Sequence, residues 1–201
     1  MQKLIEARMI ARQYVCLLLC IPLTAIAASP TFHLSDIDLP AVDDSAVDWG
    51  DYDGDGDVDL LLVGRMIDST EIARIYRNDD GVFTDIEAGL HGVANGDAVW
   101  GDFDADGDLD LVITGASGNE ALPMSRQTIV SIIYRNDGGV FTDINAGLQG
   151  IGNSAAAWGD YDGDGDLDLA LSGGMGDARM LAIYRNDSGA FVDIRPGIRG
   201  V

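Results

Sequence analysis

The sequence predicts an all-β protein in which a unit of four short antiparallel strands occurs three times. A nearly identical segment, W-G-D-x-D-x-D-G-D-x-D-L, begins at Trp49, Trp100 and Trp158. Each copy is followed by an apolar run, then by Y-R-N-D, and then by a glycine, a phenylalanine and D-I. The tryptophans are 51 and 58 residues apart, and repeats of this length are typical of propellers and solenoids.

Four segments of each unit have the composition of strands. In the first unit they are A-V-D-W, L-L-L-V, I-A-R-I-Y-R and V-F-T-D-I. An aspartate-rich loop joins the first two, and N-D-x-G, a hairpin signal, joins the last two. The second strand has few polar residues, so we expect it to be buried on both faces. Four-stranded units of this length arranged around an axis form a β-propeller.

Residues 1–27 are predicted to be a secretory signal peptide. A basic N-terminal stretch precedes an apolar run that ends in small residues. The run from Val15 to Ile26 has twelve residues and contains Pro22, whereas a membrane-spanning helix needs about 20. We therefore expect a secreted or extracellular protein, in the periplasm or at the cell surface if the source has them, with no membrane insertion after signal removal.

The repeats are predicted to occupy residues 28–201, as units of about 44–94, 95–152 and 153–201 behind a leading strand at 32–38. Closed propellers have at least about four blades, so three units predict a partial propeller. Three interpretations are open. The chain could be part of a longer protein that supplies the remaining blades, it could associate with copies of itself, or it could form an open arc. We favour the first, because unpaired terminal strands promote aggregation and complete proteins normally cover them.

The charge of the chain excludes several classes of partner. The formal net charge is −22, from 12 basic and 34 acidic residues, and loss of residues 1–27 would change it to −24. Such a chain is not expected to bind nucleic acid or anionic membranes. Both cysteines, Cys16 and Cys20, lie in the predicted signal peptide, so metal ions would have to provide the cross-links that disulfides give many exported domains.

The aspartate loops are predicted to bind three calcium ions, one in each repeat. Carboxylates at alternate positions with a glycine between them direct several oxygens at one point, as a hard cation requires. We expect side-chain ligands at loop positions one, three, five and nine, and a backbone carbonyl at position seven. The candidate ligands are Asp51, Asp53, Asp55, Asp57, Asp59, Asp102, Asp104, Asp106, Asp108, Asp110, Asp160, Asp162, Asp164, Asp166 and Asp168.

These loops are not EF-hands, because position twelve is occupied by an apolar residue where an EF-hand has glutamate. The three residues are Leu62, Ile113 and Leu171. A glycine at position six is expected to turn the chain with a positive φ. The three glycines are Gly56, Gly107 and Gly165. An acidic hairpin turn without a metal remains the alternative.

The repeated tryptophans and the loops of variable length are the other candidates for function. The tryptophans could bind a ligand, but their repetition favours packing between units. The stretches 65–71, 116–127 and 174–179 differ in length and are expected at the edge opposite the aspartate loops, where recognition is often built. Each contains one arginine, so a shared anionic ligand is conceivable. The three arginines are Arg65, Arg126 and Arg179.

The aspartate hairpin, the apolar strand with glycine that follows it, and the F-x-D-I segment together resemble the FG-GAP or VCBS repeat, as in the propeller of integrin α subunits. The resemblance covers almost everything from Phe32 to Val201. It implies calcium-binding loops that pack at the base of each blade. It also implies a role in adhesion or in the display of a binding surface for an extracellular protein or glycan.

Two classes of function follow from the sequence. The first is a secreted binding or adhesion module with structural calcium, and the second is the propeller part of an extracellular enzyme acting on carbohydrate or phosphoester. Asp68, Glu71 and Glu120 are the acids of the variable stretches that could serve a glycosidase. The chain after residue 27 has no cysteine, no lysine, no G-x-S-x-G and no paired histidines. We therefore predict that it is not an enzyme and has no catalytic residues.

Overall fold

A computed structural model describes residues 39–118, 127–175 and 178–194, and the regular secondary structure in these ranges is entirely β. The strands form three four-stranded antiparallel sheets, which we call blades 1, 2 and 3, and each strand pairs with its neighbours in the sequence. Blade 1 contains β1 (Val42–Gly50), β2 (Asp59–Met66), β3 (Glu71–Asp79) and β4 (Val82–Asp85). Blade 2 contains β5 (Ala94–Gly101), β6 (Asp110–Ser117), β7 (Thr128–Asp137) and β8 (Val140–Asp143). Blade 3 contains β9 (Gly152–Gly159), β10 (Asp168–Met175), β11 (Ala178–Asp187) and β12 (Ala190–Asp193).

The predicted fold class is confirmed. The first strands of successive blades lie together, β1 against β5 and β5 against β9, so that the blades follow one another in an open arc. The predicted signal peptide and the predicted leading strand at 32–38 lie outside the described residues. Within the described ranges, no helix is long and apolar enough to cross a bilayer.

The second strand is buried on both faces in blades 1 and 2, whereas in blade 3 the prediction is wrong because Ser172 of β10 is exposed. Side chains of successive residues point to opposite faces of a strand. In β2, Leu61 and Val63 pack in the cluster between blades 1 and 2, whereas Leu60 and Leu62 pack on the opposite face of blade 1. The prediction that this strand is buried on both faces is therefore confirmed for β2, and the first seven residues of β6 are buried in the same way.

The hydrophobic core lies between the blades. Leu111 and Ile113 of blade 2 join the cluster with blade 1, and Val112 and Ile133 of blade 2 join a second cluster with blade 3. Blade 2 therefore buries an apolar face on each side, by stacking on blade 1 and on blade 3. This is how repeat units that cannot form a core alone gain their stability.

The repeated tryptophans occupy two different environments. Trp100 packs against Tyr52 of blade 1, and Trp158 packs against Phe103 of blade 2, as expected for packing between units. Trp49 differs, because its side chain is 55% exposed whereas that of Trp100 is 9% exposed. The prediction of packing between units is therefore wrong for Trp49 within the described chain.

The aspartate loop and the N-D-x-G turn lie at the same end of each blade, as predicted. In blade 1 the backbone N–H of Asp80, in the turn between β3 and β4, donates to Oδ2 of Asp57 in the loop between β1 and β2 (2.7 Å). The expected positive φ at loop position six is also confirmed, because Gly56 has a φ of 97°. Since connections alternate between the two ends of a blade, the β2–β3 connections lie at the other end.

Candidate metal centres

Each aspartate loop gathers three carboxylates at one point. The aspartates at positions one, three and nine each place one oxygen within 4.8 Å of the other two. This cluster occurs in all three blades, and its members are Asp51, Asp53 and Asp59; Asp102, Asp104 and Asp110; and Asp160, Asp162 and Asp168. The fold therefore brings together nine of the fifteen aspartates predicted as metal ligands.

The aspartate at position nine also attaches the loop to the body of the blade. Asp110 is fully buried, and its two oxygens accept hydrogen bonds from the backbone N–H groups of Phe103 (3.0 Å) and Asn136 (2.9 Å). Asp59 and Asp168 accept the equivalent pairs of bonds in blades 1 and 3. Each bonded oxygen retains a further lone pair, so the carboxylate can hold the backbone and face a cation together.

The other aspartates hold the loop in shape. Asp51 accepts a hydrogen bond from the N–H of Gly56 (3.0 Å), and Asp55 accepts one from the N–H of Asp57 (2.9 Å). Because the carboxylate of Asp57 is bonded to the N-D-x-G turn, its backbone carbonyl is the group that remains for a cation at position seven. Equivalent bonds in the other two loops are accepted by Asp102, Asp106, Asp108, Asp160, Asp164 and Asp166.

The donor set fits calcium in size and in chemistry. Calcium takes oxygen ligands at about 2.3–2.6 Å, so ligands on opposite sides of the ion are about 5 Å apart. The oxygens of each cluster lie within that separation. In the first loop, Oδ1 of Asp51 is buried and has no hydrogen-bond partner among the described residues, and an unpaired buried carboxylate oxygen is costly. A bound cation would satisfy this oxygen.

Burial raises the pKa of two of the position-nine aspartates, Asp59 and Asp110. Desolvation raises the pKa of Asp110 to about 7, the neighbouring charges of Asp104 and Asp106 add to the rise, and the two backbone hydrogen bonds oppose it. Desolvation also raises the pKa of Asp59. A carboxylate with a raised pKa is held in its charged form at a cost, so these positions favour either a proton or a cation.

A pH dependence follows for the calcium-free protein. Because the folded pKa of Asp110 lies above the unfolded value of about 3.9, its contribution to stability is complete below that value and is lost as the pH rises through about 7. In chelator, we expect a higher midpoint of urea unfolding at about pH 5 than at about pH 8. Asp110→Asn, which cannot titrate, should reduce this difference, and equal midpoints in the wild type would contradict the prediction.

An asparagine of the Y-R-N-D motif, which the sequence marks only as part of a turn, connects the blades. Nδ2 of Asn136 donates to the carbonyl of Tyr52 in blade 1 (3.0 Å) and to the carbonyl of Leu109 in its own blade (3.1 Å). Asn186 donates in the same way to Phe103 of blade 2 (2.8 Å). The recurrence of asparagine in all three copies of Y-R-N-D was the signal that could have identified this role.

Two of the charged residues of the variable stretches, Arg65 and Glu71, pair with each other, whereas Arg179 is exposed. Arg65 is 4% exposed and contacts the carboxylates of Asp44 (2.9 Å) and Glu71 (3.5 Å). The hypothesis of an anionic ligand is therefore wrong for Arg65, because its guanidinium is buried and paired with acids, and Glu71 is engaged in the same contact. Asp68 accepts a hydrogen bond from the N–H of Thr70 (3.0 Å). Glu120, a candidate acid of the enzyme hypothesis, lies outside the described ranges. So does Arg126, a candidate of the anionic-ligand hypothesis.

The comparison with known families agrees with the repeat and its loops. A family model described as an FG-GAP-like repeat matches residues 51–113 and 102–171. Each match runs from one aspartate loop through the next, and together they cover more than half of the chain. No curated protein matches the chain significantly. The chain therefore belongs to the family of FG-GAP-like repeat proteins.

Proposed function

We propose that the chain is a secreted, non-catalytic module that binds three calcium ions as structural elements and presents a binding surface for an extracellular protein or glycan. The observation that carries the proposal is the threefold recurrence of one carboxylate cluster at the same place in each blade. A solvated acidic turn needs no such convergence. Membership of the FG-GAP-like repeat family supports the module, because these repeats often bind calcium and are typically extracellular.

The metal is proposed to be structural because the loop links several parts of each blade. In blade 2, Asp110 joins the loop to β7 through Asn136, and Asn136 in turn reaches the carbonyl of Tyr52 in blade 1. Carboxylates this close repel one another, and the repulsion acts directly on these connections. A divalent cation would replace the repulsion with attraction and would hold the loop, the blade and the neighbouring blade together.

The binding surface is proposed at the end of the blades opposite the calcium loops. There the β2–β3 connection of blade 1 exposes Ile67 completely, while Arg65 and Glu71 pair beside it. The connection forms a short turn in which the N–H of Ser69 donates to the carbonyl of Met66 (2.9 Å). Loops that vary on a constant scaffold are where recognition is commonly built.

Calcium removal should destabilise the protein strongly. Each site is expected to contribute about 2.7 kcal/mol to the free energy of unfolding when calcium is present at about one hundred times its dissociation constant. Native mass spectrometry of the secreted chain should count three bound ions, and thermal unfolding should shift to lower temperature in chelator. A chain that melts identically in calcium and in chelator, with no ions bound, would contradict the proposal.

Single substitutions assign the ions to the loops. Asp53→Asn, Asp104→Asn and Asp162→Asn keep the shape of the side chain and remove one charge from one cluster, so each variant should bind two ions. Asp43→Asn is the matched control, because it removes the charge of an exposed carboxylate outside the loops. It should still bind three ions, and loss of an ion from it would show that overall charge rather than the loops determines binding.

A further inference from the structure

The chain forms the same interface between blades twice. Trp100 of blade 2 stacks on Tyr52 of blade 1 with ring centroids 6.1 Å apart and an angle of 7° between the planes. Trp158 of blade 3 stacks on Phe103 of blade 2 at 6.2 Å and 15°. One blade therefore contributes an indole, and the preceding blade contributes the ring that receives it.

The receiving blade also provides a glycine on which the indole lies. A Cβ atom added to Gly50 would lie 2.8 Å from the indole of Trp100, and one added to Gly101 would lie 2.5 Å from the indole of Trp158. Both contacts are closer than real Cβ atoms approach other atoms. Gly159 is the equivalent residue of blade 3, and a Cβ atom there would have no atom of the described residues within 4 Å.

Blade 1 exposes part of the donating half of this interface, which we call the head, whereas Leu60 and Leu62 on the same face are buried. The head consists of Val47, Trp49 and Val58, and all three side chains are more than half exposed. Their equivalents one repeat later are Ala98, Trp100 and Leu109, which pack in the cluster between blades 1 and 2. The head thus presents the same three positions that blade 2 buries against blade 1.

Blade 3 exposes the receiving half, which we call the tail. Tyr161 is 53% exposed, although its equivalents Tyr52 and Phe103 are buried. A pocket of about 230 Å³ lies beside it, and its lining includes Gly159, Leu169 and Ile183. The pocket occupies the position at which blades 1 and 2 each receive the indole of the next blade.

We propose that the tail of one chain binds the head of a second copy, with Trp49 of one copy stacked on Tyr161 of the other beside Gly159. Asn78 would then donate to the carbonyl of Tyr161, as Asn186 donates to the carbonyl of Phe103 within the chain. Among the described residues, Nδ2 of Asn78 donates only to Val58 of its own blade, so its second N–H is available.

A polar contact between blades 2 and 3 also has its two equivalents at the head and the tail. Oγ1 of Thr114 in blade 2 and Oγ of Ser154 in blade 3 are 2.8 Å apart. Their repeat equivalents at the tail and the head are Ser172 and Ser45, which are both exposed. Two copies would together supply six blades, which lies within the range of about four to eight in closed propellers. The interface is heterologous, so it closes into a ring only if its rotation allows.

The proposal is tested by sedimentation of the chain over a range of concentrations, in calcium and in chelator, at a salt concentration that screens repulsion between acidic copies. We expect the wild type to form dimers or larger assemblies. Trp49→Ala and Tyr161→Ala should each raise the dissociation constant at least about tenfold. An equal mixture of the two variants should recover one contact, because each variant keeps the half that the other lacks.

Gly159→Ala separates association from folding. Its Cβ atom is accommodated in the single chain but would clash with the incoming indole, so this variant should fold normally and fail to associate. Val140→Ala is the matched control, since Val140 is an exposed apolar residue of the middle blade, and it should associate like the wild type. A wild type that is folded and monomeric at every concentration would overturn the proposal. This holds even if other residues of the chain cover Trp49 in solution. Association of the Gly159→Ala variant would also overturn it. An equal mixture of Trp49→Ala and Tyr161→Ala that stays monomeric would do the same.

Discussion

Asp110→Ala is expected to destabilise the protein by about 2–6 kcal/mol even when no calcium is present. The substitution leaves two backbone donors, the N–H groups of Phe103 and Asn136, without their acceptor. The acceptor is fully buried, and each buried donor left unsatisfied costs about 1–3 kcal/mol. Since a native domain is stable by only about 5–15 kcal/mol, this single carboxylate accounts for a large part of the total.

The measurement is urea unfolding in chelator, with Asp104→Ala as the matched control. Asp104 belongs to the same cluster and carries the same charge, so its loss relieves the same repulsion. It does not accept the two backbone bonds that Asp110 accepts. We expect Asp104→Ala to unfold near the wild-type midpoint in chelator and below it in calcium. If both variants unfold near the wild-type midpoint in chelator, the two backbone hydrogen bonds of Asp110 contribute nothing measurable and the prediction is wrong.

The features that the sequence could predict are those that local chemistry determines. Loop position six needs a positive φ, which favours glycine, and Gly107 has a φ of 100°. The apolar run from Leu60 to Val63 could be read as a doubly buried strand because it contains no polar residue. Such positions are recognisable because the same physical requirement recurs in every repeat.

The features that the sequence could not predict depend on parts of the chain that meet only after folding. The pattern marks Asp110 as a metal ligand, but its second role requires the N–H of Asn136, which lies 26 residues away in β7. The sequence indicates only a turn at Asn136, whereas in the fold its side-chain amide donates to the carbonyl of Tyr52 in the preceding blade. Arg65 reads as a surface cation until its acidic partners, Asp44 and Glu71, are brought beside it.

The tryptophans show that a repeated residue need not have a repeated environment. Trp49 and Trp100 stand at the same position of the same motif, and the sequence gives no reason to separate them. Burial is a property of the neighbouring blade rather than of the motif. Trp100 lies against the rings of Tyr52 and Phe141, whereas Trp49 contacts only Phe83 among the aromatic rings of the described residues.

Trp100→Ala should therefore destabilise the protein by about 3–5 kcal/mol. The substitution removes a 9% exposed indole from the contact between blades 1 and 2 and leaves a cavity beside Tyr52 and Phe141. The aromatic pairs with Tyr52 and Phe141 are also lost, and each such pair is worth about 0.5–1.5 kcal/mol beyond its burial. Trp100→Phe should recover much of the loss, because the buried indole Nε1 has no hydrogen-bond partner among the described residues.

Trp49→Ala is the control, measured by denaturant unfolding at a protein concentration low enough to keep the chain monomeric. Its expected effect is within about 0.5 kcal/mol, as for most exposed positions. A large difference between the two variants would mean that a tryptophan contributes to the free energy of unfolding only when it packs against a neighbouring blade. Equal losses would mean instead that Trp49 is covered in solution by residues outside the described ranges, and the head would then not be free to bind a second copy.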